Sequence, residues 1–378
     1  MARGSVTKRH GSWGFRVDAG VDPETGARRQ IRRQGFRTRR EAEEALAELQ
    51  KNVIDGTVVS SSSVRLDDYL DQWLDGLEAH VRPTTHHSYV VAVKRLRKHL
   101  GRYKLQSLTP LQIEAFYADL LDRGGRNGQP LAPKTVRNTH VVLRKALADA
   151  ERLGLVARNA AAAARAPRAT RSEMTTWTSD ELKTFTVAAQ GSRLRHAFSV
   201  LALTGMRRGE VLGLRWSDVD FDAFQIAIVQ TVTAVNGKLA IGKPKTAGSR
   251  RTVYVHDATI KALRQQRQLQ AEERLAAGPA WADDNDLVFR APTVEPVSPD
   301  SFSHAFETLV AEADWPGIRL HDLRHTNATL SLKAGVPPKV VSERLGHSSI
   351  AITLDLYSHV TPGISREAAA TVESMMFD

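Results

Sequence analysis

From Leu66 onward the apolar residues fall at Leu66, Tyr69, Leu70, Trp73, Leu74 and Leu77. That is the spacing i, i+3, i+4, i+7, i+8, i+11, which lays one continuous stripe along an α-helix that must be buried against other elements. Upstream the period is different. Ser12-Trp13-Gly14-Phe15-Arg16-Val17-Asp18 alternates apolar with polar or small residues, as a half-buried strand does, and Asp22-Pro23-Glu24-Thr25-Gly26 is a turn sequence. Two periods separated by the serine-rich stretch Gly56 to Ser63 cannot serve one core, so the chain is expected to be modular. Its 378 residues leave room for two or three domains.

The first module reads as β-rich and closed by a helix. Arg28 to Phe36 returns as a second strand with Arg29, Arg32 and Arg33 exposed. Thr38 caps a helix over Arg39 to Asn52, and Glu41 three residues on completes a capping box. The second module is a compact four-helix unit. After the Leu66 helix, one starting near Pro83-Thr84 sets Tyr89, Val93, Leu96 and Leu100 on one side and Lys94, Arg95, Arg97 and Lys98 on the other. Two more span about Pro110 to Leu121 and Pro133 to Leu153, the latter presenting Lys134, Arg137, Arg144 and Lys145. Asn159 to Ser172, rich in Ala with Arg165, Arg168 and Arg171, reads as an extended cationic connector. Beyond it the pattern is α+β and mainly helical, with helices around 179–190, 193–204, 257–277, 298–313 and 321–334. Strands are expected near 224–234, 238–242 and 251–256, and Asn236-Gly237 marks a hairpin between the first two.

Charge follows the same division. The formal net charge is +11, but residues 1–60 hold 12 basic against 8 acidic residues, 61–169 hold 18 against 10, and 170–378 hold 23 against 24. The whole excess lies in the first 169 residues, the distribution of nucleic-acid-gripping modules joined to a body with another task. The absence of cysteine excludes disulfides, thiolate zinc sites and cysteine nucleophiles. No HExxH or close histidine cluster points to a metal, and no cofactor is expected. Met1 to His10 is basic without a following apolar run, and no stretch approaches 18 apolar residues, so an intracellular protein with no membrane partner is expected.

Four short segments of the last module carry chemistry-bearing residues. Thr204-Gly205-Met206-Arg207-Arg208-Gly209-Glu210 joins two helices, and Pro244-Lys245-Thr246 leads through Ser249 and Arg251 into a strand. His321-Asp322-Leu323-Arg324-His325 opens a helix with His321 and Arg324 on one face. Leu345-Gly346-His347-Ser348-Ser349 is followed, ten residues after the histidine, by Tyr357. Attack on a phosphodiester builds negative charge on two nonbridging oxygens, which two guanidiniums can hold without a metal. A tyrosine hydroxyl, with a pKa of about 10, needs a base and a cationic surrounding to become a nucleophile.

In this order and spacing the segments resemble the catalytic domain of the tyrosine recombinase (phage integrase) family over roughly residues 175–360. The resemblance implies an active site of Arg207, Lys245, His321, Arg324, His347 and Tyr357, with Glu210 supporting the first arginine. It implies strand cleavage through a 3′-phosphotyrosine and a Holliday junction, without ATP, to integrate or excise a mobile element. The implied fold has three parts: a small β-rich arm-type DNA-binding domain at 1–60, a helical, SAM-like core-binding domain at 64–160, and an α+β catalytic domain with a C-terminal tail at 173–378. The implied partners are double-stranded DNA at core and arm sites, three further copies in a tetramer, and, as plausible accessories, an excision factor and a host DNA-bending protein. The expected location is the bacterial cytoplasm, at the nucleoid. Tail residues Ile364, Ala368, Val372 and Met375 fall on one face of a short helix, Ser365 to Met376. Two alternatives remain: a type IB topoisomerase sharing the same active-site logic, and a catalytically inactive DNA-binding regulator.

Overall fold

The computed structural model describes residues 4–21, 28–54, 62–169, 174–244, 250–281, 285–291, 295–312, 316–360 and 373–377; of these, the side chains of 19–21, 28, 29, 51–54 and 357–360 are left undescribed. The chain divides into two compact units, Met1–Arg171 and Ser172–Asp378. Among the described residues no helix is long and apolar enough to cross a membrane.

The first unit opens with three antiparallel strands, β1 (Gly4–Arg9), β2 (Ser12–Val21) and β3 (Arg28–Phe36), in the order β1-β2-β3, followed by α1 (Arg39–Ile54). Phe15, Val17, Leu46 and Leu49 form their shared core, with Val6, Ile31 and Phe36 packed against it. The capping box at Thr38 is present: Glu41 N donates to Thr38 Oγ1 (3.2 Å) and Thr38 N to Glu41 Oε2 (3.4 Å). Strand β1 was not expected, because Val6 is its only apolar side chain. The local signal for it is the two-residue turn His10-Gly11, both at positive φ (48° and 80°), the conformation that matches the twist of a tight hairpin.

Helices α2 (Leu66–Leu77), α3 (Pro83–Leu100), α4 (Pro110–Arg123) and α5 (Pro133–Arg152) follow. Proline begins three of them, where its fixed φ suits the helix and its missing N–H would be unbonded anyway. The stripe of α2 is buried as its spacing predicts, from Leu66 to Leu74, against Leu96, Ile113, Phe116, Leu120, Leu143 and Leu147. The polar ends of its aromatics are satisfied: Tyr69 Oη donates to the Ala146 carbonyl (2.6 Å) and Trp73 Nε1 to Asp149 (2.9 Å). The segment from Asn159 is not wholly extended. Asn159 accepts from Ala162 N (3.1 Å) and donates to the Arg144 carbonyl (2.8 Å), starting a four-residue helix, α6 (Ala160–Ala163), whose small Ala161 fits into the core.

The second unit contains α7 (Ser179–Ala188), α8 (Arg195–Thr204), α9 (Arg208–Leu212), α10 (Asp257–Ala277), α11 (Pro299–Ala311), α12 (Asp322–Lys333), α13 (Pro338–Leu345) and α14 (Ala351–Val360). Strands β4 (Val219–Asp220), β5 (Gln225–Ile228) and β8 (Arg251–Tyr254) form one antiparallel sheet, and β6 (Thr231–Val235) and β7 (Lys238–Gly242) a separate hairpin. The single strand expected over 224–234 is thus two, broken where Gln230 turns its amide to the Gly213 carbonyl (2.8 Å). The hairpin turn lies at Asn236-Gly237, both at positive φ, as the dipeptide predicts. Most of the expected tail helix falls outside the described residues; Glu373 to Phe377 is helical.

An aromatic cluster fixes this unit: Trp177, Phe185, Phe198, Phe302 and Phe306 are all fully buried, with Phe198 and Phe302 stacked at 4.8 Å and Phe185 and Phe306 at 5.2 Å. Trp177 also ties the start of α7 to α12, its backbone N donating to Thr326 Oγ1 (3.1 Å). Phe306→Ala, which empties the centre of this cluster, is expected to destabilise the protein by about 3–5 kcal/mol, measured as a shift in the urea midpoint; a loss below about 1 kcal/mol would mean the cluster is not the anchor of the unit.

Candidate active site

The site begins where α8 ends. Gly205 is left-handed (φ 64°), and a Cβ there would collide with Leu345 and approach Asn327, so only glycine allows α13 to lie this close. The chain then turns extended at Arg207 (φ −72°, ψ 150°), the residue that caps α9. Arg207 donates from its backbone N to Glu210 Oε2 (2.9 Å) and from Nη1 to Glu210 Oε1 (2.8 Å). Gly209 lets α9 seat on β6, since a Cβ would strike Thr231 and the Val232 carbonyl.

Glu210 is buried, 3% exposed, and its carboxylate is shared with a second arginine. Arg251, the first residue of β8, donates from Nη1 to Oε1 (3.2 Å) and from Nη2 to Oε2 (3.0 Å). Burial alone would raise the carboxyl pKa, but the Arg251 and Arg207 hydrogen bonds and charges outweigh it and hold Glu210 below the ordinary range. Glu210 therefore stays an anion.

Three consecutive residues at the end of α13 gather the rest. Arg324, in the first turn of α12, donates from Nη2 to the Leu345 carbonyl (2.7 Å) and from Nη1 to the Gly205 carbonyl (2.7 Å). Arg207 Nη2 donates to the Gly346 carbonyl (2.7 Å). His347 is next in the chain, with its Nδ1 2.8 Å from Thr353 Oγ1 of α14. Gly346, left-handed at φ 68°, makes this turn, and the helix-end carbonyls are satisfied by guanidiniums in place of water.

The charges compress one another. Burial and the nearby Arg207 and Arg251 push Arg324 down to about 9, Glu210 partly opposing them, so it remains a cation at neutral pH. Burial, then the Arg324 and Arg207 charges, push His347 down to about 4. His321, which precedes α12 and stacks edge-on against His325 at 5.1 Å, also falls to about 4 through desolvation on its protein-facing side, His325 and Arg324. His321 is nonetheless solvent-exposed. Both imidazoles are neutral at pH 7. Among the described residues no group of acids and histidines could hold a metal.

The structure thus brings Arg207, Glu210, His321, Arg324 and His347 together. Lys245 lies outside the described residues, and Tyr357 is placed as a residue of α14, one turn beyond Thr353. Helix α14 packs on α12 and α13 through Leu356, against Ala328, Leu332, Val341 and Leu345. Sequence reasoning gave no role to Arg251 or Thr353, whose partners lie 41 and 6 residues away. In the first unit, Arg32 and Arg33 are exposed on β3 but alternate in face: Arg32 stands opposite Arg16, Arg33 opposite Phe15. Arg29 belongs to the same strand. Lys94 and Lys98 are exposed one turn apart on α3, Arg95 and Arg97 are half-buried, and Arg97 pairs with Asp71. Arg137, Arg144 and Lys145 are exposed on α5, Lys145 lying 3.6 Å from Asp149.

Residues 176–363 match the model of the phage integrase family, residues 5–53 that of an arm DNA-binding domain, and residues 65–121 that of the N-terminal SAM-like domain of phage integrases. Relatives matched end to end include a XerC-like tyrosine recombinase of Caldanaerobacter subterraneus, 28% identical over 99% of this chain and 100% of its own length, and the ICEBs1 integrase of Bacillus subtilis, 29% identical over 98% and 100%. In fold, the chain resembles the Tn1549 transposon integrase solved with a circular intermediate DNA, at TM-score 0.70 and 21% identity over 82% of this chain and 100% of the other. It also resembles the lambda integrase tetramer solved on a Holliday junction, at TM-score 0.59 and 20% identity over 93% and 94%. With these matches in order along its length, the chain belongs to the phage integrase family.

Proposed function

We propose that the protein is a site-specific DNA recombinase that cuts and rejoins DNA through a covalent phosphate bond to Tyr357, integrating or excising a mobile element. The observation that carries this reading is the turn Leu345-Gly346-His347, which anchors Arg324 and Arg207 by successive carbonyls and supplies the histidine itself. Each arginine spends two of its five N–H groups on these and neighbouring acceptors and keeps others for the nonbridging oxygens of a phosphate. In the tautomer in which Thr353 Oγ1 donates to Nδ1 of His347, the neutral ring carries its proton on Nε2 and can donate it to a nonbridging oxygen. Neutral His321 accepts the Tyr357 proton as the tyrosine oxygen attacks phosphorus, and the P–O5′ bond breaks. The departing 5′ oxygen takes a proton from Lys245. The reverse step, attack of a 5′ hydroxyl on the phosphotyrosine, reseals the strand without ATP, because the bond energy is conserved in the ester.

The units ahead of this site are read as grips on DNA: residues 1–60 on arm sites, residues 64–160 on core sites, with residues 173–378 catalytic. The match of residues 5–53 to an arm DNA-binding domain supports recombination over a topoisomerase. The assembly proposed is a tetramer, since exchange of two duplexes needs four active sites, and the relative solved on a Holliday junction is a tetramer.

Tyr357→Phe removes only the nucleophilic oxygen. It is expected to abolish covalent adduct on a nicked suicide duplex while leaving DNA affinity nearly unchanged, and adduct at the normal level would contradict the assignment. Arg207→Ala and Arg324→Ala should each slow cleavage by at least ~10², the scale of losing one preorganised charge-stabilising donor; full activity in either would place the clamp elsewhere. Removing residues 1–60 should leave cleavage of short core duplexes largely intact and abolish recombination that depends on arm sequences, because the tether works by effective concentration. Unchanged footprints and recombination on a complete attachment site would show that this module does not bind arm DNA.

A further inference from the structure

The four N–H groups that meet the Glu210 carboxylate come from two arginines, and they differ in what else they can reach. Arg207 is 38% exposed at its side chain, whereas Arg251 is 8% exposed and spends Nη1 and Nη2 on Glu210 and Nε on the Arg344 carbonyl (2.7 Å). Arg251 is thus turned into the protein, toward Glu210 and the Arg344 carbonyl. A carboxylate offers about four acceptor positions, and here Arg207 N, Arg207 Nη1, Arg251 Nη1 and Arg251 Nη2 occupy them. A pair made of Arg207 and Glu210 alone is electrically neutral and would offer a phosphate little more than a dipole. The trio carries a net positive charge, with Glu210 and Arg251 buried and Arg207 the member that reaches solvent.

Arg251 also passes directly against the turn that holds the clamp. A Cβ on Gly346 would come within 3.0 Å of Arg251 Nη1, so the glycine that gives Arg207 its carbonyl also makes room for this guanidinium. Through the Arg344 carbonyl, Arg251 joins β8 to the last turn of α13.

We propose that Arg251 is a positioning residue for strand cleavage: by sharing both oxygens of Glu210, it offsets that carboxylate's charge and leaves the charge of Arg207, held in a fixed orientation, for the scissile phosphate. This rests on the recombinase reading above. It separates two roles that one buried ion cluster could have, a structural staple and an electrostatic counterweight, and the two respond in opposite ways to removal of the Glu210 charge. If Arg251 is a counterweight, neutralising Glu210 compensates its loss. If it is a staple, neutralising Glu210 removes a second tie and makes matters worse.

The test uses the full chain, a nicked suicide duplex built from the DNA flanking its gene, and three readouts: single-turnover cleavage rate, DNA affinity and thermal melting. Arg251→Met, which keeps the aliphatic stem, should slow cleavage at least ~10-fold with DNA affinity within about threefold of wild type, the range in which partners one step removed from the reacting atoms act. Arg251→Lys, which retains the charge, should recover most of the rate. Adding Glu210→Gln to Arg251→Met should raise the rate above that of Arg251→Met alone. If Arg251→Met melts without cooperativity, Arg251→Gln, which still hydrogen-bonds Glu210, replaces it in the same comparison. Wild-type cleavage by the neutral variants, a double variant slower than the single one, or loss of folding in both neutral variants overturns the proposal. A wild-type chain that forms no adduct overturns the recombinase reading and this proposal with it, whereas wild-type cleavage matched by Arg251→Met removes only the role of Arg251.

Discussion

Cations buried together are the constraint around which the second unit is arranged. Arg324 is 3% exposed and stands near Arg207 and Arg251, and an uncompensated buried charge costs several kcal/mol after relaxation. The fold meets that cost in two ways. One buried carboxylate, Glu210, neutralises part of the charge, and the carbonyls at the ends of α8 and α13 accept one N–H from Arg207 and two from Arg324. Those carbonyls lack partners within their own helices, so the same bonds finish the helices and fix the arginines.

The left-handed glycines follow from this. Gly205 and Gly346 end α8 and α13 side by side, and a side chain at Gly205 would push the two ends apart. With the ends together, His347 emerges beside the guanidiniums, burial and then their charge keep its ring neutral, and Thr353 fixes the ring to α14. Helix α14, which carries Tyr357, is thus tied to the clamp both by that hydrogen bond and by Leu356 in the small core of α12 and α13. Packing, helix termination and electrostatics all depend on the same few bonds.

Much of this was legible in the sequence because it is local. The capping box at Thr38, the hairpin at Asn236-Gly237, the buried stripe of α2 and the i, i+3 pair His321 and Arg324 are each set by residues within two or three turns of one another. The family resemblance supplied the grouping of Arg207, Glu210, Arg324 and His347, which spacing alone would not have given. What escaped notice is non-local or weakly patterned. Strand β1 shows little alternation and is defined by its pairing with β2. The break between β5 and β6 depends on Gln230 reaching Gly213, and the role of Arg251 on meeting a carboxylate 41 residues away. A buried arginine in a strand and an exposed one look alike in sequence; only the partner distinguishes them.

Whether this clamp serves a covalent step at Tyr357 is decided by trapping the chain on a nicked suicide duplex and locating the DNA on the protein by tryptic mass spectrometry. Trypsin cuts after Arg344 and Arg366 and at no residue between them, so Leu345 to Arg366 is released as one peptide carrying His347 and Tyr357. A nucleotide phosphate ester is expected on this peptide, localised by fragmentation to Tyr357. An ester on any other residue, such as Ser348 or Tyr254, would contradict it.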